Sequence, residues 1–201
     1  MSIASLKNFS VKTPVGNAVQ LMPKLKYRFR VIFENFGVSA GELVELTKQV
    51  KSFKRPSVDF NEIVLDSYNS KVKLQGKPTW ANVSCDLRDD ATGKISKLIG
   101  EQVQKQFDFQ EQSSASSAAD YKFQITLEML DGGNGAKVDA VLESWMLVGC
   151  YLKSVDYTDL DYGSNDAVEI KLDIAYDNAI QNKNAFGIGT DVGRTLRQLV
   201  A

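Results

Sequence analysis

The sequence predicts a mainly β fold, an antiparallel β-sandwich or barrel with one packed α-helix. About seven segments alternate apolar and polar residues with a period of two, which is typical of strands that bury one face. Only residues 91 to about 109 repeat apolar residues at the spacing of an amphipathic helix. Strands come before and after this helix rather than alternating with several helices, and that order favours an antiparallel sheet over a parallel one.

The composition is that of an ordinary globular domain and argues against several classes of function. The chain has 201 residues, of which 43% are hydrophobic and 24% charged, with a net charge of −1. One domain of this length can bury a sizeable core, and the balanced charge gives no basic field for nucleic acid. There is no histidine, which removes the commonest general base and metal ligand. We therefore expect no catalytic residue, no metal site and no cofactor.

Cysteine usage and hydropathy add two further expectations. Cys85 and Cys150 are too few for a disulfide scaffold or a zinc cluster, so we interpret both as reduced thiols in the core. The first residues lack a basic segment followed by a long apolar run, and no apolar run is long enough to span a membrane. We expect neither a signal peptide nor a membrane segment.

The first elements after the N-terminus are extended. Residues 1 to 22 show no sustained period, and we interpret them as an N-terminal arm before a domain that spans residues 23 to 177. Leu25–Phe33 is the clearest strand, because its odd-numbered residues are all apolar. The opposite face of this strand carries a row of cations, Lys24, Lys26, Arg28 and Arg30. A second extended segment is predicted over Leu43–Phe53, before Pro56, which cannot donate to a strand ladder.

The middle of the chain predicts a long loop followed by two strands. Residues 54 to 67 are long for a hairpin connection, and we expect an extended loop that reaches away from the core. Residues 67 to 74 alternate as a strand, residues 76 to 78 predict a turn, and residues 83 to 87 alternate again. Asp89-Asp90 then begins the helix, since carboxylates accept hydrogen bonds from the free amides at a helix N-terminus.

The second half predicts strands at residues 121–130, 138–148 and 168–176. The glycine-rich Asp131–Gly135 is interpreted as a hairpin turn, because it lacks the lysine and the following helix of a phosphate-binding loop. An acidic turn between the last two strands carries Asp156, Asp159 and Asp161. Two segments are interpreted as irregular, a small-residue linker at residues 113 to 119 and a C-terminal tail at residues 178 to 201.

The acidic residues do not form a catalytic pattern. A metal-dependent nuclease needs clustered carboxylates, whereas Asp59 and Glu62 lie in a predicted loop at poor spacing for that role. Asp89-Asp90 is better explained as a helix cap than as a metal site. A metal-dependent nuclease or other hydrolase and a monomeric ligand-binding barrel are the alternatives from other classes.

Three places carry a resemblance to a known family. The first is the strand Tyr27-Arg-Phe-Arg-Val31. The second runs through Arg55-Pro56, Lys71-Val-Lys-Leu-Gln-Gly76, Trp80, Val83 and Arg88-Asp-Asp90. The third combines Trp145-Met-Leu-Val-Gly-Cys-Tyr-Leu152 with Glu169-Ile-Lys-Leu-Asp-Ile-Ala-Tyr176. Over residues 23 to 177 the chain resembles the tail tube proteins of contractile-tailed bacteriophages, which are related to the tube proteins of pyocins and type VI secretion.

This resemblance implies a structural, non-enzymatic role. Subunits of that family form six-membered rings that stack into a hollow tube inside a contractile sheath, and the genome passes down the lumen without sequence-specific binding. The implied partners are further copies of the chain and the sheath, tape-measure, baseplate and terminator proteins. The implied location is the tail of a virion assembled in the host cytoplasm. A baseplate tube-initiator protein of the same fold is the alternative within the family.

The resemblance also suggests contact residues. The segment Lys54–Ser67 corresponds to the family's long loop, and we expect its contact with the next ring to involve Pro56, Asp59, Phe60 and Leu65. We further expect charge contacts between subunits, in which one side supplies Lys26, Arg28, Arg30, Lys71 or Lys73. The acidic side of these contacts would be Asp156, Asp159 and Asp161.

Overall fold

The structure is a computed structural model that describes residues 24–38, 43–132, 141–182 and 188. The strands over these residues are β1 (Phe29–Glu34), β2 (Val50–Phe53), β3 (Ser57–Ser67), β4 (Ser70–Ala81), β5 (Val83–Arg88), β6 (Phe107–Asp108), β7 (Ser113–Ser114), β8 (Phe123–Leu130), β9 (Val141–Asp156), β10 (Glu169–Ala175) and β11 (Asn178–Asn182). The helices are α1 (Leu43–Gln49), α2 (Lys94–Gln106) and α3 (Ala118–Tyr121).

Seven strands form the main sheet, and its neighbouring strands are all antiparallel. The order is β1-β8-β9-β10-β5-β2, with β11 also paired to β9. Two ribbons stand apart from this sheet, one made by β3 and β4 and the other by β6 and β7. The predicted mainly antiparallel β fold with a packed helix is therefore confirmed.

The core combines the inner face of the sheet with the apolar stripe of α2. Alternation buries Val83, Cys85 and Leu87 on β5, and α2 adds Ile95, Leu98 and Ile99. One amide, Gln102, is also fully buried: its Oε1 accepts the backbone N–H of Gly37 at 2.9 Å. The Gln102 Nε2 donates to the carbonyl of Tyr121 at 2.6 Å. Because a buried polar group is costly unless it is bonded, these contacts fix α2 on the sheet.

Helix α2 begins three residues later than the predicted helix at 91 to 109 and ends at Gln106. Of the two aspartates before it, only Asp90 accepts a backbone amide of the helix, as the sequence predicts for both. A carboxylate oxygen of Asp90 accepts the backbone N–H of Lys94 at 3.1 Å, and Asp89 accepts the hydroxyl of Ser96 at 2.9 Å. Hydrogen bonding by Thr92 and by backbone amides lowers the pKa of Asp90, so the capping group stays ionised.

The long strand β9 changes its pairing partner on one edge near a glycine, Gly149. Strand β8 pairs with β9 as far as Cys150, whereas β11 pairs with it only as far as Val148, and from Tyr151 onward β9 pairs with β10. Gly149 lies between the parts of β9 that pair with β11 and with β10, and it has φ +71, a left-handed conformation that favours glycine. Beside it, the backbone N–H of Asp177 donates to the carbonyl of Val148 at 3.1 Å, which bridges the break between β10 and β11.

The first predicted strand is too long at its N-terminal end. Strand β1 begins at Phe29, residues 26 and 27 lie in a turn, and Tyr27 is 72% exposed rather than buried. The partner strand β8 explains the difference, because it ends at Leu130, whose backbone N–H donates to the carbonyl of Arg28 at 2.9 Å, so the pairing stops at Arg28. The predicted row of cations on one strand face is therefore wrong for its first members.

The second predicted extended segment, Leu43–Phe53, is also wrong in its first half. Residues Leu43–Gln49 form helix α1, and only Val50–Phe53 form a strand. Leu43, Leu46 and Val50 recur at the spacing of one helix face, and Leu46 is completely buried in the core. In a segment this short, helical and strand periods are hard to distinguish from the sequence.

The predicted loop at residues 54–67 and turn at residues 76–78 are corrected together. Most of the loop is strand β3, and β4 runs straight through residues 76–78. The turn instead lies at Tyr68 and Asn69, where Tyr68 has φ 41 and is fully exposed. Pro78 fits within β4 because a two-stranded ribbon has only edge strands, where a missing N–H need not break a ladder.

Two segments expected to be irregular contain regular structure. The small-residue linker at residues 113–119 includes β7 and the start of α3, which Ser117 and Asp120 begin with a capping box. Asn178–Asn182, assigned to the C-terminal tail, forms β11 on β9 because β9 offers an unoccupied edge there. The predicted arm at residues 1–22 and the end of the tail at residues 189–201 lie outside the described residues, as do residues 133–135 of the predicted hairpin turn.

We predict that Gly149→Ala lowers the free energy of unfolding by about 2 kcal/mol. The alanine would have to adopt the left-handed backbone conformation of Gly149, and its methyl group would collide with the carboxylate of Asp177. The matched control is Gly100→Ala on the exposed side of α2, where a Cβ meets nothing within 4 Å. Removing the entropic penalty of a helical glycine should stabilise that control by up to about 1 kcal/mol. Urea denaturation of both variants measures the two effects, and equal stabilities would contradict the role of Gly149.

Candidate assembly interface

The most prominent surface feature is the long hairpin of β3 and β4, called the arm below (residues 57–81). Its strands pair with each other from Ser57↔Ala81 to Ser67↔Ser70 and, in the described part of the chain, with no other strand. Eleven residues of β3 extend roughly 36 Å at about 3.3 Å per residue. A two-stranded hairpin of this kind is only marginally stable without a surface to pack against.

The arm has one apolar and one charged face along its outer half. Pairing places Ile63 opposite Leu74 and Leu65 opposite Val72, and each of these side chains is 48% or 49% exposed. The next positions along each strand point to the other face, which carries the charged residues Glu62, Asp66, Lys71 and Lys73. No other described part of the chain covers this apolar face, as expected for a protein-interaction surface.

A bulge separates this outer half from the base of the arm. The register shifts between Phe60 and Glu62, opposite Gly76. A Cβ on Gly76 would lie 2.8 Å from the carbonyl oxygen of Asn61, closer than real Cβ atoms approach. Glycine is thus required for the two backbones to meet, and the bulge fixes which residues of the outer half share a face.

The base of the arm is held by one buried carboxylate, that of Glu143 on β9. Its side chain is only 2% exposed. The Oε1 atom accepts hydrogen bonds from Arg55 Nη2 at 2.6 Å, Trp145 Nε1 at 2.6 Å and Gln181 Nε2 at 2.9 Å. The Oε2 atom forms an ion pair with Lys24. Arg55 lies two residues before β3, so this cluster joins the start of the arm to the main sheet.

Electrostatics keeps the Glu143 carboxylate ionised. Burial on its own raises the pKa of Glu143. The hydrogen bonds from Lys24 and Trp145 and the positive charge of Arg55 outweigh burial and lower the pKa to about 2. A second contact supports the same end of the arm, since the ring of Trp80 packs against Tyr176 with 5.8 Å between centroids.

The predicted acidic residues lie far from the arm in sequence, and two of them, Asp159 and Asp161, line a cleft beside the main sheet. Asp156 ends β9 opposite Lys171, and Asp159 and Asp161 lie in the following loop. That loop borders a cleft of about 820 Å³ whose cationic residues are Lys51, Arg88 and Lys171. Two large side chains of this loop, Leu160 and Tyr162, are almost completely exposed to solvent.

The predicted cations are divided among different contacts. Lys26 is exposed in the turn before β1 and lines a groove of about 940 Å³ between the edges of β1 and β2. Arg28 donates to the carbonyl of Asp131 at 2.5 Å, and Arg30 forms an ion pair with Glu128 at 2.5 Å. The floor of the groove is apolar and includes Phe29, Val31, Val50, Phe53, Leu127 and Met129.

The two predicted lysines of the arm pair within the arm itself. Lys71 lies 3.6 Å from Asp66, and Lys73 lies 3.1 Å from Glu62. Within the described subunit, the structure does not bring either lysine to the acidic loop around Asp159. Contacts of that kind between subunits stay a prediction.

The predicted stacking residues do share one element. Pro56 leads into β3, and Asp59, Phe60 and Leu65 lie on it. Sequence reasoning missed Glu143 and the apolar residues of β4 as parts of this surface. Alternation at Val72 and Leu74 was visible but was interpreted as a buried strand face.

The described residues offer little reactive chemistry. No group of three or more acidic or cysteine side chains is placed to hold a metal ion in the described part of the chain. Burial and the charge of Asp86 raise the pKa of Cys85, and burial raises the pKa of Cys150 to about 12, so both thiols stay protonated. Among the helices at residues 43–49, 94–106 and 118–121, none is long and apolar enough to cross a membrane.

Comparison with known proteins identifies the fold. No protein-family model matches the sequence, and no curated protein matches it. A solved structure of the tube-terminating cap of the anti-feeding prophage is 17% identical with a TM-score of 0.59, over 85% of this chain and 97% of that one. The sheath/tube terminator of the extracellular contractile injection system PVC is 15% identical with a TM-score of 0.60, over 82% and 100% of the chains. A solved structure of the PVC sheath–tube complex is 15% identical with a TM-score of 0.57, over 80% of this chain and 91% of that one.

We predict that Glu143→Gln lowers the free energy of unfolding at pH 7 by roughly 3 kcal/mol. This magnitude corresponds to the lowering of the Glu143 pKa from 4.5 in the unfolded chain to about 2 in the folded protein. The sign follows from linkage: stabilisation by the ionised carboxylate is fully present above the pKa of the unfolded state near 4.5. It is lost as the pH falls through the folded value of about 2. Urea unfolding between pH 7 and pH 2.5 should show the gap between wild type and variant narrowing below about pH 4.5.

The control for this experiment is Glu111→Gln, which changes an exposed carboxylate outside the cluster. That variant should stay within about 0.5 kcal/mol of wild type at every pH. A constant gap between wild type and Glu143→Gln over the whole pH range would contradict the assignment.

Proposed function

On the premise that the chain has the fold of tube and terminator proteins of contractile injection systems, we propose that it is a subunit of the inner tube of a contractile tail. In this role copies of the chain form six-membered rings, and the rings stack into a hollow tube. The tube serves as the conduit through which a genome leaves a virion. The protein acts by assembly and not by catalysis.

The observation that carries the proposal is the uncovered apolar face of the arm. Ile63, Leu65, Val72 and Leu74 remain about half exposed on a ribbon that reaches roughly 36 Å from its base. A monomeric ligand-binding barrel has no use for such a projection, because the ribbon encloses no pocket. A subunit that packs against further copies of itself covers this face and stabilises the ribbon at the same time.

The arm also gives the predicted ring contact a physical form. Asp59, Phe60 and Leu65 lie on strand β3 rather than on a loop, and Pro56 leads into it, so the strand would present them to a neighbouring ring at fixed spacing. Lys26, exposed beside the groove, and the loop residues Asp159 and Asp161 are the members of the proposed charge contacts best placed to meet another subunit.

The other partners follow from the proposed role. A tube subunit contacts the sheath outside, the baseplate and terminator proteins at the ends, and the tape-measure protein and DNA inside. Support comes from the solved structures with this fold, which include a sheath–tube complex, a sheath/tube terminator and a baseplate. The proposed site of assembly is the host cytoplasm, and the proposed location is the virion tail.

A subunit that ends or begins the tube is the second candidate. Two of the similar structures are tube terminators, with TM-scores of 0.59 and 0.60, and another is a baseplate assembly at 0.53. Polymer length separates the two functions. A main tube protein forms long tubes as its concentration rises, whereas a terminator or initiator stops at single rings.

We predict that the purified protein forms rings or tubes visible by negative-stain microscopy. The double variant Leu65→Asp with Val72→Asp should remain monomeric, because it places two charges on a paired position of the apolar face. Val64→Asp is the matched control, since Val64 lies on the charged face opposite Lys73 and should assemble like wild type. Sedimentation velocity measures the oligomers, and circular dichroism checks that each subunit is folded. Only monomers of the wild type over a wide range of salt and concentration would overturn the proposal.

A further inference from the structure

The arm separates its charges by strand. All charged residues of β3 are acidic: Asp59, Glu62 and Asp66. All charged residues of β4 are basic: Lys71, Lys73 and Lys77. The ribbon therefore has one negative and one positive edge, and the arm as a whole is neutral.

Both edges of the ribbon are open in the described subunit. Apart from their pairing with each other, β3 and β4 join no strand of the described chain, so each leaves a row of backbone donors and acceptors unpaired. Proteins usually protect such edges against pairing with another chain. Lysines on an edge strand commonly prevent it from pairing with another chain. In this arm, the acidic residues of β3 would instead attract the lysines of a second copy's β4.

The ion pairs within the arm leave these charges accessible. Lys71 and Asp66 are 70% and 77% exposed, and Lys73 and Glu62 are 67% and 49% exposed. Exposed ion pairs contribute little stability, and each carboxylate or ammonium group keeps free hydrogen-bonding capacity. The same side chains can therefore contact a second partner beside the ribbon.

We infer that arms of successive subunits pair edge to edge, with β4 of one copy beside β3 of the next. This inference rests on the proposed function, because it requires that copies of the chain assemble. The strands of one arm are antiparallel, so β4 and the next β3 are antiparallel as well, and the arms build one continuous sheet. In that sheet acidic and basic strands alternate, and the apolar faces of neighbouring arms become contiguous.

The sign of the charges selects this arrangement over the two symmetric ones. Pairing β3 with another β3, or β4 with another β4, places like charges on adjacent strands, which is unfavourable. Pairing β4 with β3 is head-to-tail, since each copy uses two different edges. Contacts of this type generate closed rings or open helical assemblies, rather than isolated two-fold dimers.

The outer edges of β3 and β4 in one arm cannot pair with each other. It is rooted at the Glu143 cluster through Arg55, and its outer half lies beyond the bulge at Gly76, roughly 15–35 Å along the ribbon. A straight ribbon cannot bend back so that β4 lies beside its own β3 on the outer side. Since β4 cannot reach its own β3, the edge-to-edge pairing that we infer requires a second copy of the chain.

The experiment uses a full-length variant with the charges of the two edges exchanged: Glu62→Lys, Asp66→Lys, Lys71→Glu and Lys73→Glu. The variant keeps the net charge of the protein and both ion pairs within the arm. It should therefore fold and should assemble with itself as wild type does. It should not mix with wild type, because each mixed contact would place two acidic or two basic strands side by side.

The readout is native mass spectrometry of oligomers after co-expression of wild type and the exchanged variant with tags of different mass. Pure oligomers of each kind are expected, with mixed species reduced about tenfold or more below a statistical distribution. Statistical mixing would overturn the edge pairing while leaving the proposed function intact. Failure of the wild type itself to form oligomers would overturn the proposed function and this inference together.

A second pair of variants provides an independent measurement. Lys71→Glu with Lys73→Glu makes both edges acidic, and Glu62→Lys with Asp66→Lys makes both basic. Each variant alone should assemble at least about tenfold more weakly than wild type, and an equimolar mixture should recover assembly with the two kinds alternating. No recovery in the mixture, with circular dichroism showing both folded, would contradict the inference. The Val64→Asp control adds one charge to the same face without reversing either edge.

Discussion

The buried carboxylate of Glu143 is the interaction on which the shape of this molecule depends. An ionised group that is 2% exposed is costly unless donors surround it, and here Lys24, Arg55, Trp145 and Gln181 all contact it. These donors come from the segment before β1, the segment before β3, β9 itself and β11. One charge therefore ties the beginning and end of the described chain to the root of the arm and sets the point from which the arm departs.

The main sheet and the arm differ in what covers their apolar faces. In the sheet, alternation places an apolar side chain against the core at every second position, and α2 covers that face through Ile95, Leu98 and Ile99. In the arm, the same alternation produces an apolar face at Leu65 and Val72 that none of the described residues covers. The sheet is complete in one copy of the chain. The proposed assembly would cover the face of the arm with other copies of the chain, which is why its residues carry the proposed function.

Charge contributes to the arm mainly as a selector of partners. The exposed pairs Lys71–Asp66 and Lys73–Glu62 add little to the stability of one subunit. Their arrangement by strand nevertheless makes the two edges of the ribbon distinct, and distinct edges favour a directional assembly over a symmetric dimer. In the proposed assembly, the apolar face supplies the driving force for association and the charges decide its direction.

The sequence by itself determined the fold class, the helix after Asp89-Asp90 and the buried rows of strands such as Val83–Arg88, because these depend on periods that neighbouring residues set locally. It did not determine that Leu43–Gln49 is helical or that the arm is a separate ribbon. Alternation shows that one face is apolar but not what covers it. Glu143 contacts residues up to 119 positions away in the chain, so only the tertiary structure decided this cluster. Long-range pairing of this kind leaves no local pattern in the chain, and for that reason the joint that positions the arm was invisible until the fold brought its parts together.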